Sequence, residues 1–243
     1  MKILVAIANY GETNNEHARR LIREYRGMPF DCHVAVLSNI PKDYGPDVEV
    51  VVGMPAKNTW SLPFLHKKLF FDRKEEYDLY IYSEDDTLIT EGNIRAFLES
   101  DELLDEDEVP GFMRYEFTPA REKFVSTVHT CFHWLPETVK KRGGRVFARF
   151  TNDHSACFLL TRKQLQAAIR SGGFMVEPHE GLYDMLCSAA TDPYTRCGLK
   201  KYVCISDIDT FLLPHMTDKY IGRLGIPYGK FLLQIERMLS MAE

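Results

Sequence analysis

The sequence predicts an α/β protein: one domain with a central, mostly parallel sheet flanked by helices. Three observations carry this expectation. Residues 2–8 form an unbroken apolar run of the kind buried on both faces of a sheet. Strand-like and helix-like segments then alternate through the first hundred residues, as in right-handed crossover units. The chain has 243 residues, 45% hydrophobic and 12% aromatic, an ordinary globular composition with material for a large core. At about 150 residues per domain the length admits one large domain or two small ones. The chain has no internal repeat, low-complexity tract or clear linker, which favours one.

The elements follow in order. After the strand at 2–8, residues 15–26 place Ala18, Leu21, Ile22 and Tyr25 at helical spacing. Strands are expected at 32–37, ending at Ser38-Asn39, and at 48–52. A helix at 62–73 carries Leu65, Leu69 and Phe70 on one face, and a strand at 77–82 runs into Ser83-Glu84-Asp85-Asp86. The acidic run at 99–108 reads as a solvated helix end or loop. Beyond it a strand is expected at 109–117 and a loop or hairpin at 140–149 around Gly143-Gly144. An apolar strand at 155–161 precedes a helix at 162–170, stopped by Gly172-Gly173. A helix at 183–190, a short strand at 202–205 and an amphipathic tail helix at 231–241 complete the chain.

Charge and composition exclude several classes. With 30 Lys+Arg against 35 Asp+Glu the net charge is −5, which gives no electrostatic footprint for nucleic acid. No apolar run approaches the roughly 20 residues of a membrane helix. The first eight residues lead straight into Asn9-Tyr10-Gly11-Glu12 without a small-residue cleavage site, so they read as a strand and not as an export signal. The six cysteines show no Cys-x-x-Cys spacing, so reduced thiols and a cytoplasmic protein are expected.

The residues that carry chemistry cluster at strand ends. Three consecutive acids, Glu84, Asp85 and Asp86, follow directly on an apolar strand. Like charges this close repel, and a bound divalent cation removes that cost. Mg²⁺ takes one or two protein carboxylates and completes its shell with water and phosphate oxygens, which suits a nucleotide-diphosphate complex. An exposed acidic turn would read similarly. In sheets of this kind ligands bind beyond the carboxyl ends of the strands, where Ala8, Asn9, Tyr10 and Asn39 also lie. Ala8, Asn9 and Tyr10 could meet a nucleobase or ribose; turn chemistry explains them equally well. His66 or Lys67 could reach the nucleotide or its phosphates, or sit on a solvated helix face. The pair His129 and His133 suits a metal only on a helix, and its surroundings favour strand. The basic set Lys140, Lys141, Arg142, Arg145 and Arg149 could contact a phosphate-bearing acceptor, but reads better as a solvated loop.

Glu84-Asp85-Asp86 resembles the Asp-x-Asp motif of GT-A fold glycosyltransferases, in the Glu-Asp-Asp form. The small-residue segment Ser155-Ala156-Cys157 with its following helix resembles the strand that approaches the donor sugar in that family, with Ala156 and Cys157 in place of glycines. His179-Glu180-Gly181 stands where the family carries an acid before a late helix. The resemblance implies a Rossmann-like GT-A domain, with residues 1–98 as the nucleotide-binding half and 99–243 as the acceptor-binding half. It implies Asp86 as a ligand of Mn²⁺ or Mg²⁺, joined by His215 from the C-terminal part. Asp85 would hold a metal-bound water or the ribose, and Glu84 would sit near the nucleotide. Glu180 would be the general base, with Asp184 as runner-up if both lie on one helix face. The implied reaction moves a sugar from a nucleotide-diphosphate sugar to a glycan or other hydroxyl acceptor, with inversion. The tail helix could mediate a homodimer or cap the core. Two other classes stay open: a nucleotidyltransferase acting on a sugar phosphate, and a non-catalytic nucleotide-sugar-binding module. Against the first, residues 8–13 hold a single glycine and no Lys or Arg.

Overall fold

The computed structural model describes residues 1–126, 132–222 and 224–242. In chain order the elements are β1 (Lys2–Ala8), α1 (Asn15–Gly27), β2 (Asp31–Ser38), β3 (Val48–Val52), α2 (Leu65–Asp72), β4 (Leu79–Glu84), α3 (Glu91–Asp101), β5 (Glu108–Pro110), β6 (Met113–Phe117), β7 (Lys123–Ser126), β8 (Trp134–Arg142), β9 (Arg145–Phe150), β10 (Cys157–Thr161), α4 (Arg162–Arg170), α5 (Met185–Thr195), β11 (Lys200–Cys204), β12 (Leu212–Pro214), β13 (Gly225–Pro227) and α6 (Tyr228–Leu239). Short 3-10 turns cover Thr59–Phe64 and Ile205–Asp207. The chain forms two compact units, Met1–Thr87 with Ala156–Leu199 and Leu88–Ser155 with Lys200–Glu243.

The first unit is a mixed α/β layer with a parallel-rich sheet flanked by helices. Its five strands run in the order β10-β4-β1-β2-β3. β1 pairs in parallel with β2 and β4, β2 in parallel with β3, and β10 antiparallel with β4. Ile3 to Ile7 are completely buried, as an apolar run covered on both faces requires. α1 buries Ala18, Leu21, Ile22 and Tyr25, the face its spacing predicts. The helix expected at 62–73 opens with the 3-10 turn, which contains Pro63, and becomes α-helical at Leu65. β4 starts two residues later than expected and runs through Ser83 and Glu84, so the acidic triplet begins inside the strand. α4 has its expected bounds, fixed by a capping box between Thr161 and Gln164. α5 begins at Met185, later than the expected 183, because Asp184 is its N-cap.

The second unit contains two four-stranded sheets, β5-β11-β9-β8 and β12-β6-β7-β13. The single strand expected at 109–117 is two strands on different sheets. They part at Gly111, where a Cβ would stand 2.2 Å from Lys201 Cγ. The glycine pair at 143–144 makes a tight hairpin between β8 and β9, with φ of +54° and +80°. Positive φ at both central residues matches the twist of the flanking strands. α6 starts earlier than expected and buries Phe231, Ile235 and Met238, with the Phe231 ring 6.2 Å from Trp134. The acidic run at 99–108 spans the end of α3 and the start of β5; its last residue, Glu108, is buried and paired with Lys140. Cys32, Cys157, Cys187, Cys197 and Cys204 are free thiols. His129, Cys131 and residues 127–128 lie outside the described residues. Among the described residues no helix is long and apolar enough to cross a membrane.

Candidate functional site

The strand order of the first unit reverses at β1. β2 and β3 lie on one side of it, β4 and β10 on the other. Connections leaving the carboxyl ends of β1 and β4 therefore diverge, and a crevice opens there in sheets of this type. Ala8 and Glu84 are register partners on these two strands. The next residue on each strand is polar and buried: Asn9 on one, Asp85 on the other.

Asn9 Nδ2 donates to Asp85 Oδ2 at 2.6 Å, and Asn14 Nδ2 donates to Asp85 Oδ1 at 2.8 Å. Both oxygens of Asp85 are thus held by amides. The other end of the Asn9 amide is also engaged. Tyr44 donates its hydroxyl to Asn9 Oδ1 at 2.7 Å, and Lys42 Nζ donates to the same oxygen and, at 3.0 Å, to the Asn9 carbonyl. Burial pushes the Asp85 carboxyl up to about 6; the Asn9 and Asn14 hydrogen bonds oppose this, and the charges of Asp86 and Glu84 add to it. Burial also lowers the Lys42 ammonium, while the charges of Asp85 and Glu12 support it.

The flanking acids complete the strand end. Glu84 donates its backbone N–H to the Ala156 carbonyl at 2.9 Å, and Thr87 N donates to Glu84 O at 3.3 Å, closing a tight turn over Asp85 and Asp86. Asp86 is buried. Ala156 takes the left-handed region at φ +55°, and Cys157 follows as the register partner of Ser83. Asn39 Oδ1 accepts from Gly11 N at 2.8 Å, which ties the ends of β1 and β2, and Tyr10 beside it is half exposed.

His66 and Lys67 are not brought to these strand ends and do not lie on a solvated face. His66 is completely buried among the rings of Phe70, Tyr82, Phe158 and Phe174, with Nδ1 2.7 Å from the Pro63 carbonyl. Burial drives its pKa well down, helped by the Lys67 charge, so the ring is neutral and Nδ1 carries the proton to Pro63. Lys67 Nζ donates to Asp192 Oδ2 at 2.5 Å and to the Phe174 carbonyl at 2.9 Å. His179 Nε2 stands 3.1 Å from the other oxygen of Asp192, and this anchors the segment that leads to Glu180.

Glu180 is exposed, between α4 and α5. Asp184 Oδ1 accepts from Cys187 N at 2.8 Å as the N-cap of α5, so the two acids share no helix face. In the second unit, His215 is buried with Nδ1 2.7 Å from Glu116 Oε1 and its ring stacked on Tyr220 at 5.8 Å.

The donors at the end of β4 fit a hard cation of low protein ligation. Glu84 and Asp86 flank the amide-held Asp85, and one or two carboxylates suffice for Mg²⁺ or Mn²⁺ when phosphate and water supply the rest. Among the described residues no group of three or more His, Cys, Asp or Glu is placed to hold a metal ion by itself.

The residues that sequence reasoning missed here are Asn14, Lys42 and Tyr44. Asn14 stands directly before α1, and Lys42 and Tyr44 follow the end of β2; proximity to strand ends was the available signal.

No protein-family model matches the sequence, and no curated protein matches it. Among solved structures the chain is similar to A197 from STIV, at 11% identity and a TM-score of 0.39, over 84% of this chain and 81% of that one. It is also similar to a glycosyltransferase involved in the glycosylation of the major capsid of PBCV-1, at 10% identity and a TM-score of 0.42, over 99% of this chain and 100% of that one. TM-scores this low bear on neither reaction nor residues.

Proposed function

We propose that the chain is a metal-dependent glycosyltransferase that moves a sugar from a nucleotide-diphosphate sugar to an acceptor hydroxyl with inversion. One observation carries the reading: Asn9 and Asp85 meet at the reversal point of the strand order, with Asp86 as the next residue. The Glu-Asp-Asp resemblance and the crevice rule for open sheets point to the same place.

Each group has a role in this reading. Asn9, Asn14, Lys42 and Tyr44 fix Asp85 and with it the path of the chain into Asp86. A fixed carboxylate costs no reorganisation when a charged ligand arrives. Asp86, with Glu84 beside it, would hold Mn²⁺ or Mg²⁺. The cation, when bound, offsets charge on the departing diphosphate. The half-exposed Tyr10 ring offers a face for the nucleobase. Glu180 takes the acceptor hydroxyl's proton as the new bond to the anomeric carbon forms and the bond to the diphosphate oxygen breaks. Asp184 is committed to its helix, which favours Glu180 as base.

The test is a thermal-shift series of nucleoside diphosphates with and without Mn²⁺. A ligand at a hundred times its dissociation constant stabilises by about 2.7 kcal/mol. Asp86→Asn is expected to abolish the metal-dependent part of the shift; an unchanged shift removes Asp86 as a ligand and the reading with it.

A further inference from the structure

The second unit contains a buried cation that makes no hydrogen bond and no ion pair among the described residues. It is Arg114, on β6, which is 3% exposed. Its register partner on β7 is Ser126, and on the other side, on β12, Leu213. Partners across neighbouring strands project to the same face, so the Arg114 and Ser126 side chains leave the sheet on one face. Ser126 is also buried, and its Oγ is enclosed with no hydrogen-bond partner. A buried arginine and an enclosed hydroxyl without a hydrogen-bond partner are therefore direct cross-strand neighbours. The nearest acid along β6 does not answer them. Glu116 shares the face by alternation, but its Oε1 is engaged by His215 Nδ1 at 2.7 Å and its Oε2 accepts from Tyr220 N at 3.0 Å.

A guanidinium cannot shed its proton to escape burial. A buried charge without a partner is among the most destabilising arrangements in a protein, and it persists where a ligand supplies the counter-charge. The guanidinium fork offers parallel N–H donors that match the oxygens of a phosphate, and a serine hydroxyl adds one more donor. We infer that Arg114 and Ser126 form an oxyanion site that takes a phosphate group of a small molecule. The inference rests on the second unit alone and stands apart from the metal reading at β4.

The experiment is a thermal-shift and calorimetric titration of the full chain in chelator-containing buffer at constant ionic strength. The probes are inorganic phosphate, pyrophosphate, a nucleoside diphosphate and a hexose phosphate, with acetate and chloride as controls. The wild-type protein should show a saturable stabilisation by at least one phosphate probe and none by chloride. The ranking of nucleoside diphosphate against hexose phosphate assigns the site to a donor or to a phosphorylated acceptor. Arg114→Met should melt higher than wild type without ligand and lose the phosphate response. Ser126→Ala should stay folded and bind phosphate about tenfold more weakly, the loss of one hydrogen bond. Absence of a phosphate response in the wild type, a response to acetate alone, or phosphate binding by Ser126→Ala at wild-type strength overturns the site. So does an Arg114→Met protein that melts lower than wild type without ligand, because the arginine would then be supporting the fold.

Discussion

The side-chain amide of Asn9 donates to Asp85 Oδ2 at 2.6 Å and so joins the end of β1 to the end of β4 where the strand order reverses. The carboxylate it holds is buried, and its proton is held up to about 6 against an ordinary 3.8.

That displacement predicts a pH dependence with a definite sign. A carboxyl whose folded pKa lies above its unfolded value binds its proton more tightly when folded. Its contribution is fully present below about 4 and is lost as pH rises through about 6. The folded state therefore gives up about 3 kcal/mol at this group between those limits. Asp85→Asn does not titrate, so its stability relative to wild type should rise by about that amount from pH 4 to pH 7, read from urea unfolding. A difference that stays constant over this range would mean that Asp85 does not titrate as a buried group.

Lys67 and Asp192 form an ion pair with side-chain exposures of 3% and 0%. Breaking such a pair leaves a buried charge and costs about 3–5 kcal/mol, whereas replacing both partners by apolar groups is often neutral. Lys67→Met should lower stability by that amount, and Lys67→Met with Asp192→Leu should recover most of it. His179 loses its Asp192 contact in the double variant, so the recovery should be incomplete. Additive losses in a denaturation series would show that the two side chains do not act as a pair.

Arg121 carries φ +64° in the turn between β6 and β7, where its N–H donates to the Thr118 carbonyl at 2.8 Å. The left-handed region costs an L-residue about 1–2 kcal/mol, and glycine escapes most of that. Arg121 is exposed, so Arg121→Gly forfeits little packing and should raise Tm by about 2–4 °C. Ala156, at φ +55° but completely buried, is the contrast: glycine there also removes a packed Cβ, and its gain should be smaller. A lower Tm for Arg121→Gly would show that the turn is held by contacts of the arginine side chain.

The comparison between sequence and structure turns on the range of the interactions involved. β1, α1 and α4 were legible because their signals are local: an apolar run, a helical face, and a helical pattern stopped by Gly172-Gly173. The acids at the end of β4 were legible because an apolar strand leads into them. The partners of Asp85 were not, since Asn9 and Asn14 lie 76 and 71 residues away and reach it through parallel pairing. Lys67 looked like a surface lysine because Asp192, which neutralises it, is 125 residues further on. The short strands of the second unit carry too few residues for alternation to show, so the shared face of Arg114 and Ser126 emerges from register alone.

The proposed reading gives Glu180 a chemical role and leaves Asp184, four residues on, a structural one. Asp184 caps α5 through Cys187 N, and removal of such a cap costs about 1 kcal/mol. Asp184→Ala should therefore lower Tm while sugar transfer, assayed well below the melting point, persists. Glu180 is exposed, so Glu180→Gln should leave Tm and nucleoside diphosphate binding unchanged. If its carboxylate takes the acceptor proton, kcat should fall by about 10²–10⁴ and the rate should lose its dependence on a basic group. Full turnover by Glu180→Gln together with a lost rate in Asp184→Ala would transfer the proton to the capping acid, and α5 would then have to loosen at its N-terminus during the reaction. Hydrogen exchange at the Cys187 amide, slow in the capped helix and fast in a loosened one, distinguishes the two.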